Sequence, residues 1–84
     1  MLNYYKNYPS IDLHGETSDI SKILVNNFIL DNIKLKNKYI IIIHGIGKGI
    51  VKKSVHEELK TNKFVKNYKL DNFNSGMTLV ELDV

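Results

Sequence analysis

Two short stretches hold the residues able to do chemistry. In Ile11-Asp12-Leu13-His14-Gly15 a carboxylate and an imidazole stand two positions apart. In an extended strand that spacing puts both on one face. An imidazole titrates near neutral pH, so it can act as a general base, and a neighbouring carboxylate can orient it or stabilise its charged form. The second stretch, YIIIIHGIGKG at 39–49, is a β-branched apolar run ending at His44. Gly45, Gly47 and Gly49 follow at alternate positions with Lys48 among them, and a helical pattern begins at Ile50. A strand opening into a glycine-rich, basic loop and then a helix suits an anion, because free backbone N–H groups and the helix dipole both favour negative charge.

These residues need a scaffold, and the hydrophobic pattern supplies one. Residues 10–13 read as a short strand, with Ile11 and Leu13 on one face and Asp12 and His14 on the other. Thr17 is a good N-cap for a helix running to about Leu35. One side of that helix carries Leu24, Val25, Phe28 and Ile29, and the other carries Ile20, Ile23, Leu30 and Ile33. The second stripe is either covered by a neighbouring helix or is an oligomer contact, so a monomer or a weak homo-oligomer is expected. Residues 36–38 form a polar turn. The unbroken apolar run over 39–43 predicts a central strand. Val51, Val55 and Leu59 predict a second helix over 50–60. Strands over 65–70 and 77–82 flank DNFNSG, a turn sequence, and should form a hairpin.

The order is β-α-β-α-β-β. It predicts a small two-layer α/β sandwich, with parallel first and second strands and both helices on one face. Both of the first two strands end in His-Gly before a helix. His14 and His44 should therefore share the C-terminal edge of the sheet, where open α/β sheets bind their ligands. The alternative for both histidines is a strand-end side chain donating to a backbone carbonyl. His56 lies beside the apolar stripe of the second helix and reads as structural.

Composition bounds the rest. The 84 residues suffice for one domain, expected over 10–84 behind an N-terminal arm at 1–9. The tyrosines of that arm either stack bases or pack over an open sheet edge. The chain has no cysteine, which excludes disulfides and thiolate metal sites. With no long apolar run and no signal peptide, it is expected to be cytoplasmic, without a membrane partner. Net charge is +3 and all twelve basic residues are lysine, which permits a nucleic-acid partner. A lysine bias of this kind also follows from an AT-rich genome. A P-loop is excluded because Lys48 precedes Gly49 rather than Ser or Thr, and the even glycine spacing excludes the dinucleotide-binding GxGxxG. An RNA-binding GxxG loop fails at Ile50. No metal-ligand cluster extends beyond the two histidines and Asp12, so neither metal nor cofactor is expected.

IDLHG at 11–15, IIHGIGKG at 42–49, VHEEL at 55–59 and the closing GMTLVEL at 76–82 together resemble the Smr (small MutS-related) domain family. The resemblance runs from about Ser10 to Leu82. It implies a fold like the C-terminal domain of translation initiation factor three, a four-stranded mixed sheet of order 1-2-4-3 with strand 4 antiparallel. It implies an endonuclease that cleaves RNA or nicks DNA, a hydrolase or a transesterifying enzyme, with Asp12 and His14 in cleavage and His44, Gly45, Gly47 and Gly49 in backbone binding. A non-catalytic nucleic-acid-binding module is the alternative, as is an interaction domain docking on a ribosome or a mismatch-repair-type protein. This chain departs from the family in having Lys48 where Thr or Ser is common, and in having no arginine. It is expected to be a stand-alone member.

On this reading the glycine loop and Lys48 hold a phosphodiester, and Lys52 and Lys53 extend the phosphate track. His14 is the general base, oriented by Asp12. His44 is the acid on the departing oxygen or a phosphate ligand. RNA carries its own nucleophile in the 2′-hydroxyl, whereas DNA needs an activated water. RNA is therefore the expected substrate.

Overall fold

The elements follow from local signals and then from the burial those signals allow. In the computed structural model, which describes residues 7–84, they run β1 (Ser10–Asp12), α1 (Ser18–Lys34), β2 (Tyr39–Ile43), α2 (Ile50–Thr61), β3 (Val65–Leu70) and β4 (Met77–Leu82). Thr17 caps α1, its Oγ1 accepting the Ile20 N–H at 3.2 Å. Thr61 extends α2 by one residue beyond the expected Lys60.

The four strands lie in the order β1-β2-β4-β3. β1 and β2 are parallel, with Ile11 opposite Ile42 and Asp12 opposite Ile43. β4 is antiparallel to both β2 and β3. The apolar run of β2 thus occupies a central position, paired on both sides.

The alternation of β2 and β4 sends Ile40, Ile42, Val80 and Leu82 to the helix side, where they bury completely with Leu13, Val25, Ile29, Val55 and Leu59. This is the hydrophobic core. The two helices meet through small polar residues: Ser18 Oγ donates to Ser54 Oγ at 3.0 Å, and Ser54 Oγ donates to the Ser18 carbonyl at 2.8 Å.

The second stripe of α1 is only partly used. Ile33 packs on the core, and Leu30 is half-buried. α2 lies against the side of α1 that carries Ser18, Lys22 and Asn26, where Lys22 Nζ sits 3.2 Å from Glu57. Ile20 and Ile23 therefore stay 43% and 57% exposed, and the neighbouring helix does not cover them.

Of the arm, residues 1–6, including Tyr4 and Tyr5, lie outside the described residues. Tyr8 stacks on Tyr39 with ring centroids 5.4 Å apart. Tyr39 alternates with Ile40 and Ile42, so this packing is on the sheet face opposite the helices rather than on its edge. The Pro9 carbonyl accepts the Ile41 N–H at 2.9 Å and starts the β1–β2 ladder.

Candidate functional site

Three connections converge at one edge of the sheet: the loops leaving β1 and β2 and the loop entering β4. Asp12 and His14 stand at the first. Asp12 Oδ1 accepts the backbone N–H of His14 at 3.1 Å and the ring Nδ1–H at 2.6 Å. The hydrogen bond from His14 holds the Asp12 carboxyl below its ordinary range, and the same bond pushes the His14 imidazole above its own. Both side chains are open to water, 51% and 72% exposed, so the pair sets orientation and proton affinity rather than stability. With Nδ1 engaged, Nε2 faces outward, and among the described residues nothing bonds to it.

Gly45 is what lets the second loop lie against this pair. Its φ is +82°, and a Cβ there would stand 2.9 Å from His14 Cβ. Alanine at 45 combines left-handed backbone strain of about 1–2 kcal/mol with a clash that moves His14. Gly15, at φ +81°, has nothing within 4 Å of an added Cβ and so carries strain alone. Gly45→Ala is expected to lower stability in urea unfolding about as much as Gly15→Ala or somewhat more. It should also cut any His14-dependent turnover about a hundredfold, because small misplacements of a catalytic group are costly.

The sequence assigned Gly45 an N–H for phosphate, and the structure uses that N–H elsewhere. The Gly76 carbonyl accepts from both His44 N–H (2.8 Å) and Gly45 N–H (2.9 Å), tying the β2–α2 loop to the start of β4. Further along, Gly49 takes the N-cap position of α2 at φ +78° and supplies no side-chain cap. The helical ladder begins with Lys53 N–H to the Gly49 carbonyl, so the N–H groups of the first turn are left for an outside acceptor. No acidic residue stands in that turn.

A cleft of about 300 Å³ opens in front of this helix end, lined by Lys48, Gly49 and Lys52, by His14 and Glu16 of the β1–α1 loop, and by His44. Asp12, Gly45, Gly47 and Lys53 do not line it. Asp12 reaches the cleft only through His14. Lys53 is exposed on α2 and does not line the cleft, whereas Lys52 does.

His44 is the larger correction. Its ring points to the helix side with Ile40 and Ile42, and the residue is only 4% exposed. Nδ1–H donates to the Gly45 carbonyl at 3.2 Å, so Nε2 is the acceptor for the hydrogen bond that the Thr78 hydroxyl donates at 2.9 Å. Thr78 Oγ1 in turn accepts from His56 Nε2 at 2.8 Å. The His44 and His56 rings meet edge to face at 5.8 Å, and His56 meets Tyr68 at 5.2 Å. Burial pushes both imidazoles below their ordinary range, with the Lys52 ammonium acting in the same direction. A neutral, doubly bonded imidazole is a brace for the loop and not a ligand for phosphate. The sequence contains a signal for this: Thr78 is the polar residue on the core face of β4, in phase with Val80 and Leu82, and so needs a buried partner.

A mixed four-stranded sheet with one helical layer, and a His-Gly pair ending each of two parallel strands beside a helix with no side-chain cap, defines a small α/β domain. This chain belongs to the Smr domain family, whose sequence model matches residues 11–83. It is 33% identical to the protein named endonuclease MutS2 of Clostridium kluyveri, over 96% of this chain and 11% of that protein. It is 32% identical to the protein of the same name from Caldanaerobacter subterraneus subsp. tengcongensis, over 88% of this chain and 10% of that one. The chain thus spans about a tenth of the length of these relatives. In fold it is similar to the Smr domain of Thermus thermophilus MutS2, with a TM-score of 0.87 and 23% identity over 90% of this chain and 99% of that one. It is also similar to YdaL, a stand-alone small MutS-related protein from Escherichia coli, with a TM-score of 0.83 and 25% identity over 90% of this chain and 67% of that one.

Proposed function

We propose that this domain binds nucleic acid at the β1–β2 edge and cleaves a phosphodiester there, in RNA before DNA. The observation that carries the reading is the Asp12–His14 pair at 2.6 Å, standing with its free Nε2 beside the uncapped start of α2 and Lys48. The relatives named as endonucleases support it.

A phosphate in the cleft accepts from the first-turn N–H groups of α2 and pairs with Lys48 and Lys52. Neutral His14, its Nδ1–H fixed by Asp12, takes the 2′-hydroxyl proton through Nε2. The 2′-oxygen then attacks phosphorus, the bond to the 5′-oxygen breaks, and that oxygen takes a proton from water in the open cleft. A 2′,3′-cyclic phosphate and a 5′-hydroxyl result. His44 holds the loop and gives up the acid role expected of it.

Labelled short RNA and DNA of one sequence, incubated with and without a chelator, test this. Cleavage of RNA with a cyclic-phosphate end is the expected result, and failure to cut either strand rejects it. Lys48, in place of the hydroxyl common in the family, favours a second reading: a binding module that grips phosphate without cutting. Lys48→Glu separates gripping from cutting. It should weaken binding to all sequences alike and lower the salt dependence by about one counterion in a filter-binding titration.

A further inference from the structure

The loop between β3 and β4 carries an exposed aromatic ring and is joined to the glycine loop that lines this cleft. Phe73 is 80% exposed, and Ile46 and Ile50 on the neighbouring loop are 82% and 58% exposed. A lone exposed apolar residue needs no explanation, but this one stands on a tightly built support. Asp71 Oδ2 accepts the N–H groups of Phe73 (3.0 Å) and Asn74 (2.8 Å). Asn74 Oδ1 accepts the Gly76 N–H at 2.9 Å, and Met77 N–H donates to the Asn74 carbonyl at 3.2 Å. Asp71 N–H closes the loop on the Met77 carbonyl at 3.0 Å.

The same loop is joined to the glycine loop. The Gly76 carbonyl accepts from His44 and Gly45, and a Cβ on Gly76 would stand 3.3 Å from Ile46 Cγ1. The apolar tips of the two loops are thus held at the edge that carries Lys48 and Lys52. A cleft with Lys48 and Lys52, exposed Ile46 and Ile50 in its lining and an exposed aromatic ring on the loop joined to it matches a ligand that is anionic along its backbone and flat and apolar on its side groups. An unpaired nucleotide is such a ligand, and every base has a face that can stack. In a duplex those faces are already covered by neighbouring bases.

We infer that Phe73, on the loop joined through Gly76 to that of Ile46, is a stacking subsite for an unpaired base, so that the domain takes single-stranded nucleic acid in preference to duplex. The inference rests on the nucleic-acid reading above and adds to it the strandedness of the substrate.

The chain has no tryptophan, so Phe73→Trp places its one indole at the subsite, where it can be excited apart from the five tyrosines. Its emission should change on adding a short mixed-sequence 2′-O-methyl oligoribonucleotide, which cannot be cut through its 2′-oxygen. It should not change with inorganic polyphosphate, which has anions and no bases. Phe73→Ala should weaken binding of that strand about tenfold, as for one lost base stack, and leave affinity for a duplex of the same sequence unchanged. An unresponsive tryptophan overturns the inference, as does a Phe73→Ala variant that binds the single strand as tightly as wild type. If wild type binds neither strand form, the nucleic-acid reading falls as well; if it binds both and Phe73→Ala changes neither, only the stacking subsite falls.

Discussion

Asp12→Ala and His14→Ala are each expected to slow cleavage about 10²–10⁴-fold, the range for losing a positioned general acid or base. Neither should unfold the domain. Both side chains are exposed, and they bond to each other rather than to the core. Urea unfolding of the two variants should therefore stay close to wild type while turnover collapses. Loss of fold in step with activity would mean the residues are structural.

Asp12→Asn gives a finer test, because the carboxylate raises the affinity of His14 for its proton. A base works deprotonated, so wild-type rate should climb as pH rises through the raised His14 pKa. Without the carboxylate that pKa falls toward its ordinary value, and the climbing limb should move to lower pH. An acid role would show the opposite slope, a rate falling with pH, again displaced to lower pH in the variant.

The second large effect lies in the core. Thr78→Val keeps the shape of the side chain and removes the hydroxyl that bridges His44 and His56. Each buried polar atom left without a partner costs about 1–3 kcal/mol, so two orphaned imidazole nitrogens cost about 2–6 kcal/mol. A chain of 84 residues has roughly 4–13 kcal/mol in all, at the usual 0.05–0.15 per residue. The variant should therefore lose a large part of its stability, read as a lower urea midpoint at unchanged slope. Thr78→Ser keeps the hydroxyl and should lose only about 1 kcal/mol, for the missing methyl.

The same cluster sets the acid limit. Both histidines have folded pKa values below the ordinary one, so below about pH 6.5 the unfolded chain binds more protons than the folded one. Stability from this source is complete above that pH and falls as pH drops toward the depressed values.

Much of the fold was legible because its signals are local. The Thr17 cap, the His-Gly breaks at 14–15 and 44–45 and the apolar run Tyr39–Ile43 each act within a few residues. The strand order 1-2-4-3 came from the family resemblance, and the hydrogen-bond ladders bear it out. The exposure of Ile20 and Ile23 was not legible, because it depends on which side of α1 the second helix chooses.

For the site, the sequence by itself determined the Asp12–His14 pair, since the two stand two residues apart and meet locally: β1 ends at Asp12 rather than at the expected Leu13, and Asp12 Oδ1 takes both the N–H and the ring of His14 across the turn that follows. It also determined a glycine loop opening a helix. Only the tertiary structure decided what each group in that loop is free to do. β4 runs beside β2, so Gly76 takes the N–H groups of His44 and Gly45, and Thr78 takes the His44 ring into the core with His56. The partners there are 31 to 34 residues away along the chain, Gly45 to Gly76 and His44 to Thr78, and a buried polar group settles on whichever partner the packing brings to it.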